Sequence, residues 1–250
     1  MTTTTQASAI PKLTKNEAMA LASTEYDLFT TLLHSLSGAD WQSPTVCTKW
    51  NVRQVALHVL GAAEGNASVR EMVHQQLAGT KLFKQRGYDH LVHGVNDIQV
   101  TERQDLTAAE LITRWDRIVP KALAGRRNFP PFLRGLKVDF VPPLGKRSMA
   151  YVMDLVYTRD VWMHRIDVSR ALGREPVLTA EHDGRLIADM VLDWATTHGH
   201  AFDLELTGPA GGHFAQGDNG QTLRIDAIEW IWINSGRGQG SGLLTYALPL

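Results

Sequence analysis

Apolar positions recur at steps of three and four through most of the first 176 residues, the period of helices with one buried stripe. A first helix is expected from Thr14, where Thr14-x-x-Glu17 has the form of a capping box, to about Leu36, before Ser37-Gly38. A second starts near Asn51 and runs past Gly65 towards Ala78, with Gly79 as its stop. The stretch from Thr80 to Asp105, with Gly87, Gly94 and several histidines, reads as a long connection containing helical pieces. Thr107-x-x-Glu110 repeats the capping signal and opens a third helix to about Ala124. Two Pro-Pro pairs in NFPPFLRGLKVDFVPPLGKRS exclude a helix there and predict an extended crossover. A fourth helix follows from about Ser148 to Leu172 and ends at Gly173. Four amphipathic helices with a long crossover before the last predict a four-helix bundle.

The pattern changes after Pro176. Thr179 is placed to cap a helix reaching Thr197, with Ile187, Met190, Val191 and Trp194 as its buried stripe. AFDLELTG then alternates as a strand does, and Gly211-Gly212 and Asp218-Asn219-Gly220 give turn signals between short strands. DAIEWIWINSGR returns to helical spacing, and Gly242 to Leu250 reads as a last strand. The expected class is therefore α+β: a polar, disordered lead-in over 1–13, a helical bundle over 14–176 and a small α/β domain over 177–250.

Three polar residues interrupt the apolar stripes. Along Met149, Met153, Val156, Asp160, Met163/His164, Asp167 and Ala171, neighbours fall on one helix face, so Asp160 and His164 lie one turn apart on it. His58 is the polar interior group of VRQVALHVLGAA. A carboxylate or imidazole on such a stripe is costly to bury without a partner, whether another side chain or a cation. If the second and fourth helices face each other, His58, Asp160 and His164 make a three-ligand metal site with a coordination position open. Spacing alone equally describes a hydrogen-bonded Asp–His pair and a satisfied core histidine.

Two segments bear on that choice. DWQSPTVCTKWNVRQVALHVLGAAEG, Asp40 to Gly65, and YTRDVWMHRIDVSRALGREP, Tyr157 to Pro176, resemble the signatures of the mycothiol-dependent maleylpyruvate isomerase family. The resemblance implies a DinB-like metal-binding bundle followed by a sterol-carrier-like domain that acts as lid or wall. It places Pro44, Thr45 and Trp50 ahead of a metal-binding His58, and Asp160 and His164 on the other two ligand positions. The family's best-known isomerase has Glu at the acidic position; Asp160 is one methylene shorter, and a shorter arm still ligates if the helix backbone sits closer. The resemblance also implies a mycothiol-type thiol as cofactor, a small electrophilic substrate as partner, and an activity-linked Arg237. Local chemistry gives Arg237 a second reading, a cation closing the carbonyl end of its helix.

Two histidines and a carboxylate suit Zn²⁺ but also accept Ni²⁺, Co²⁺, Mn²⁺ or Fe²⁺. Such a metal would stabilise a thiolate for attack on an electrophilic carbon, as an isomerase or transferase requires, or activate water in a hydrolase. A non-catalytic DinB-type stress-response protein is the third reading. Asp167, one turn beyond His164, is placed to orient that imidazole. Arg165 points about 100° away and is expected in a surface or interdomain contact. Cys47 reads as a small, partly buried residue before the second helix rather than a fourth ligand. The histidines elsewhere form no ligand pair, and Trp230 and Trp232 read as core of the small domain.

Composition removes other classes. With 25 basic and 26 acidic residues the net charge is −1, and the basic residues are scattered, so no nucleic-acid surface is expected. No apolar run approaches the roughly 18–20 residues needed to cross a bilayer. MTTTTQASAIPKL lacks the basic and apolar regions of a secretory signal, and one cysteine permits no internal disulfide; both fit the cytoplasm. Oligomeric state is left open between monomer and homodimer.

Overall fold

The computed structural model describes residues 3–139 and 145–248. The chain divides into two compact units, one of residues 15–137 and 148–176, the other of residues 1–14, 138–147 and 177–250.

The first unit is the helical one, built around α2, Val52–Ala67, which is buried over nearly its whole length from Val52 to Asn66. A helix that is apolar on all sides must be surrounded. Its neighbours are α3 (Val69–Arg86), α4 (Leu91–Thr101), α5 (Ala108–Arg127) and α7 (Tyr157–Ala171), while α1 (Lys15–His34) packs on α5 and α7. Tyr26, Phe29 and Leu33 of α1 meet Leu111 and Trp115 of α5 in the core. Phe29 sits edge-on to Trp115 at 5.2 Å, and the indole nitrogen donates to Thr30 Oγ1 at 2.7 Å, so the largest core side chain leaves no polar atom stranded. Capping boxes start α2 at Asn51–Gln54 and α5 at Thr107–Glu110.

The expected second helix proves to be two. The chain breaks at Ser68, whose extended backbone ends α2 while its hydroxyl caps Glu71 N of α3. Gly79 lies inside α3; the left-handed Gly87, φ +63, closes that helix. A Cβ on Gly79 would lie 2.8 Å from Val95 Cα, and one on Gly94 would lie 2.3 Å from Gly79 O, so the two glycines let α3 and α4 touch backbone to backbone. Most of the expected connection from Thr80 to Asp105 is accordingly helix.

The expected crossover contains a 3₁₀ turn, Pro131–Leu133, and a two-stranded sheet of β2 (Lys137–Asp139) and β3 (Lys146–Ser148). Its second Pro-Pro pair falls outside the described residues. The fourth helix enters through α6 (Met149–Tyr151) and a π turn (Val152–Val156) before α7.

The second unit holds a four-stranded sheet in the order β1-β5-β4-β6, formed by β1 (Thr4–Gln6), β4 (Phe202–Thr207), β5 (Gly212–Gln216) and β6 (Gln221–Asp226). β4 and β5 are antiparallel, while β1–β5 and β4–β6 are parallel. Helices α8 (Arg185–His198) and α9 (Ala227–Asn234) pack on it. Phe202, Leu204 and Leu206, the alternate residues of β4, are buried, and Trp194 and Trp230 meet perpendicularly at 5.6 Å in the same core. Two expectations need correcting here. Thr4–Gln6, expected in an unstructured lead-in, is an edge strand in register with His213–Ala215. Gly242–Thr245, expected in a last strand, is a 3₁₀ turn, with Leu243 N donating to Gln221 Oε1 instead of to a ladder partner.

Candidate metal centre

His58 occupies the second turn of α2 and is buried, at 4% exposure. The turn before α2 is tied down by Thr45, whose hydroxyl donates to Trp50 O at 2.8 Å, and by Trp50 N donating to Cys47 O at 2.6 Å. This holds the Trp50 ring against the His58 ring, centroids 5.0 Å apart. On the facing helix, Asp160 and His164 project from successive turns of α7.

The three residues converge. Asp160 Oδ2 is 3.4 Å from His58 Nε2, and Asp160 Oδ1 is 3.5 Å from His164 Nε2. Donor atoms of all three lie within 4.8 Å of one another. The two separations exceed the 2.7–2.9 Å of a charge-assisted hydrogen bond. They match the spacing of roughly 3.3–3.5 Å between ligands on a tetrahedral ion with bonds of about 2.0–2.1 Å. The donor set therefore fits a divalent metal. Asp160 is the open wall, its side chain 20% exposed against 5% for His58 and 6% for His164.

His164 is held from behind. Its Nδ1 bonds Asp167 Oδ2 at 2.9 Å, so in the neutral ring, the form that binds a metal, the proton belongs on Nδ1 and the Nε2 lone pair faces Asp160. The Cys47 thiol donates to the same Asp167 oxygen at 3.8 Å. Burial alone would lower the His164 pKa, but the Asp160 charge, the Asp167 hydrogen bond and Cys47 outweigh it and push the value up to about 10. Among the described residues His58 has no equivalent support: its Nδ1 is buried without a hydrogen-bond partner there, and the Trp50 contact orients the ring.

Several contributors escaped the sequence reading. Arg165, expected at a surface or between domains, is 3% exposed and pairs inside the helical unit with the buried Glu25 of α1, Nε to Oε1 2.7 Å and Nη2 to Oε2 3.1 Å. Arg126 of α5, fully buried, donates to Met153 O in the π turn at 2.8 Å and to Thr158 Oγ1 at 2.6 Å. It thereby fixes the entry of α7 just before Asp160. π turns often occur next to functional residues because they re-aim the side chains that follow. Beside it, burial first and the charges of Tyr26 and Asp160 next push the Tyr157 hydroxyl up to about 12. Arg237 follows α9 in the other unit, partly buried, its backbone N donating to Trp232 O at 3.0 Å. Elsewhere, His90 caps α4 through Val92 N, and His74 pairs with Glu102 on the surface.

The model of the mycothiol maleylpyruvate isomerase N-terminal domain matches residues 22–169, a span that contains α2 and the three converging residues. The chain belongs to that family. Among solved structures it is similar to that of the mycothiol-dependent maleylpyruvate isomerase, with 15% identity, a TM-score of 0.58 and coverage of 95% of this chain and 94% of the other. A mutant of an isomerase of the same description, with one histidine replaced by alanine, matches equally, at 15% identity and 0.58, covering 94% of this chain and 92% of that one. At this identity the likeness establishes a shared fold. Comparison with curated proteins returns no significant match. Among the described residues no helix is long and apolar enough to cross a membrane.

Proposed function

We propose that the protein is a metal-dependent enzyme that uses a small thiol of the mycothiol type on a small electrophilic substrate, by isomerisation or conjugation. The observation that carries the reading is the convergence of His58, Asp160 and His164 at ligand-to-ligand spacings. These residues would hold the metal, with Zn²⁺ the best match to two imidazoles and a carboxylate. Bound there, it would favour the thiolate form of a thiol, whose ordinary pKa near 8.5 leaves only a few per cent ionised at neutral pH.

The chain's own residues supply the rest. Two neutral imidazoles and one carboxylate leave a divalent ion with residual positive charge, which suits an anionic sulfur. Asp167 keeps the proton of His164 on Nδ1, and Trp50 shields His58 from water. The dependence of the family's named isomerase on mycothiol supports a thiol in preference to hydrolytic water.

Purified protein should carry about one equivalent of divalent metal, and His58→Ala, Asp160→Ala and His164→Ala should each lower it in elemental analysis. Wild-type metal content in all three variants would remove the site. With metal bound, turnover of maleylpyruvate or another electrophile should require added mycothiol; product formed equally well without thiol would favour the hydrolase.

A further inference from the structure

The His164 ring has a second nitrogen, and a second set of metal donors lies beside it. A nitrogen of His164, the Cys47 sulfur and a carboxylate oxygen of Asp167 all come within 4.8 Å of one another. Asp167 Oδ2 is their common neighbour, 2.9 Å from His164 Nδ1 and 3.8 Å from Cys47 Sγ. The function proposed above places a metal against Nε2 and makes no use of a cation on the Nδ1 side. Both elements that carry the set are fixed. Cys47 belongs to the turn before α2, where its amide donates to Thr45 Oγ1 at 3.2 Å and its carbonyl accepts from Trp50 N at 2.6 Å, while His164 and Asp167 are one turn apart on α7. Cys47 is partly exposed and the Asp167 side chain fully buried, so the thiol is the entrance.

Sulfur decides which cation fits. Hard ions such as Mg²⁺ and Ca²⁺ take oxygen ligands, whereas a thiolate beside an imidazole and a carboxylate selects a thiophilic ion. On zinc, with bonds of about 2.3 Å to sulfur and 2.0 Å to oxygen, the two ligand atoms stand about 3.5 Å apart, and a larger soft ion spreads them further, towards the separation found here. The Nδ1–Oδ2 pair is at hydrogen-bond length and has to open by about 0.5 Å to share an ion. Binding releases the thiol proton and moves the ring proton of His164 from Nδ1 to Nε2.

That proton shift has a consequence for the first centre. With the proton on Nε2, the lone pair that faces Asp160 is gone, and only His58 and Asp160 remain as ligands there. We propose that Cys47, His164 and Asp167 form a second site for a thiophilic cation such as Cd²⁺, and that filling it expels the metal held by His58, Asp160 and His164. The second site stands on its own donor geometry; the expulsion rests on the metal centre of the function proposed above.

Cys47 is the one cysteine of the chain, so a thiolate-to-cadmium charge-transfer band in the ultraviolet reports on it alone. Cd²⁺ is added to zinc-loaded and zinc-free protein, as wild type, Cys47→Ser and Asp167→Asn, and elemental analysis after desalting counts both metals. In zinc-loaded wild type the band should saturate at about one equivalent of Cd²⁺ while zinc leaves in step. Cys47→Ser should melt as wild type does, show no band, and need at least about tenfold more Cd²⁺ to lose its zinc, since removing a ligand costs no less than removing a ligand's hydrogen-bond partner. Asp167→Asn keeps the thiol, and in the zinc-free form its band should need at least about tenfold more Cd²⁺ than that of wild type. Cadmium uptake by wild type without the band, zinc lost equally readily from wild type and Cys47→Ser, or an Asp167→Asn band as tight as that of wild type would overturn the second site. A full band with zinc retained would overturn the expulsion. A band that depends on Asp167, in a protein that never takes up zinc, would keep the second site and remove the proposed function instead.

Discussion

Asp167 shows how much a single buried carboxylate can decide. Its bond to His164 Nδ1 selects the tautomer that leaves Nε2 free. Asp167→Asn keeps the shape but allows the opposite tautomer, and metal affinity should fall about 10- to 100-fold in a chelator competition, the usual effect of losing such a partner. Cys47→Ser, which keeps a donor towards Asp167, should stay near wild type; an Asp167→Asn affinity within twofold of wild type would rule out this role. His198, in the sheet-bearing unit, gives a second prediction at this scale. Burial, and then the charge of His200, lower its pKa to about 4, while His200 N donates to its Nδ1 at 2.9 Å. The folded chain thus binds this proton less readily than the unfolded chain, whose histidine titrates near 6.5. The contribution is fully present above pH 6.5 and is lost as the pH falls towards 4. Urea midpoints across that window should fall less steeply for His198→Asn than for wild type, and identical slopes would remove His198 as the cause. His58, Asp160 and His164 were legible in the sequence because polar groups on apolar stripes stand out. Glu25 and Arg126 were not: a charged residue turned inwards to a partner on another helix looks, in one dimension, like a residue turned to water.

Between elements, α3 and α4 meet backbone to backbone. Gly94→Ala places a Cβ against Gly79 O and should cost about 1–3 kcal/mol through overpacking, seen as a lowered melting temperature. Gly38→Ala, with nothing within 4 Å of the new atom, is the control and should change stability little. Equal melting temperatures for the two variants would mean that the α3–α4 contact yields easily. The same pair shows why helix boundaries were harder to read than helices. Gly79 as a stop and Gly79 as a contact point are the same letter, and only a neighbouring backbone tells them apart. Ser68 ends α2 without Gly or Pro, through its extended backbone and its hydroxyl on Glu71 N. By contrast, the Thr107–Glu110 start was visible because both halves of the capping box lie within four residues.

For the molecule as a whole, the strand Thr4–Gln6 matters more than its three residues suggest. It covers the β5 edge, and Ala7 and Ile10 just after it are buried. Deleting residues 1–9 should loosen the sheet-bearing unit and leave the helical unit folded. Hydrogen exchange would show this as lost protection in β4 and β5 with α2 and α5 unchanged; unchanged protection throughout would make the strand dispensable. No local pattern announces it, since Thr4–Gln6 takes its structure from a partner some two hundred positions away. That separation also sets an order of events during synthesis. Every residue of the helical unit has been made by position 176, whereas the β1 edge waits for β5 at 212–216. On a ribosome the helices have time to assemble while the first strand trails unpaired, and the sheet closes late, across the most entropically demanding loop in the chain.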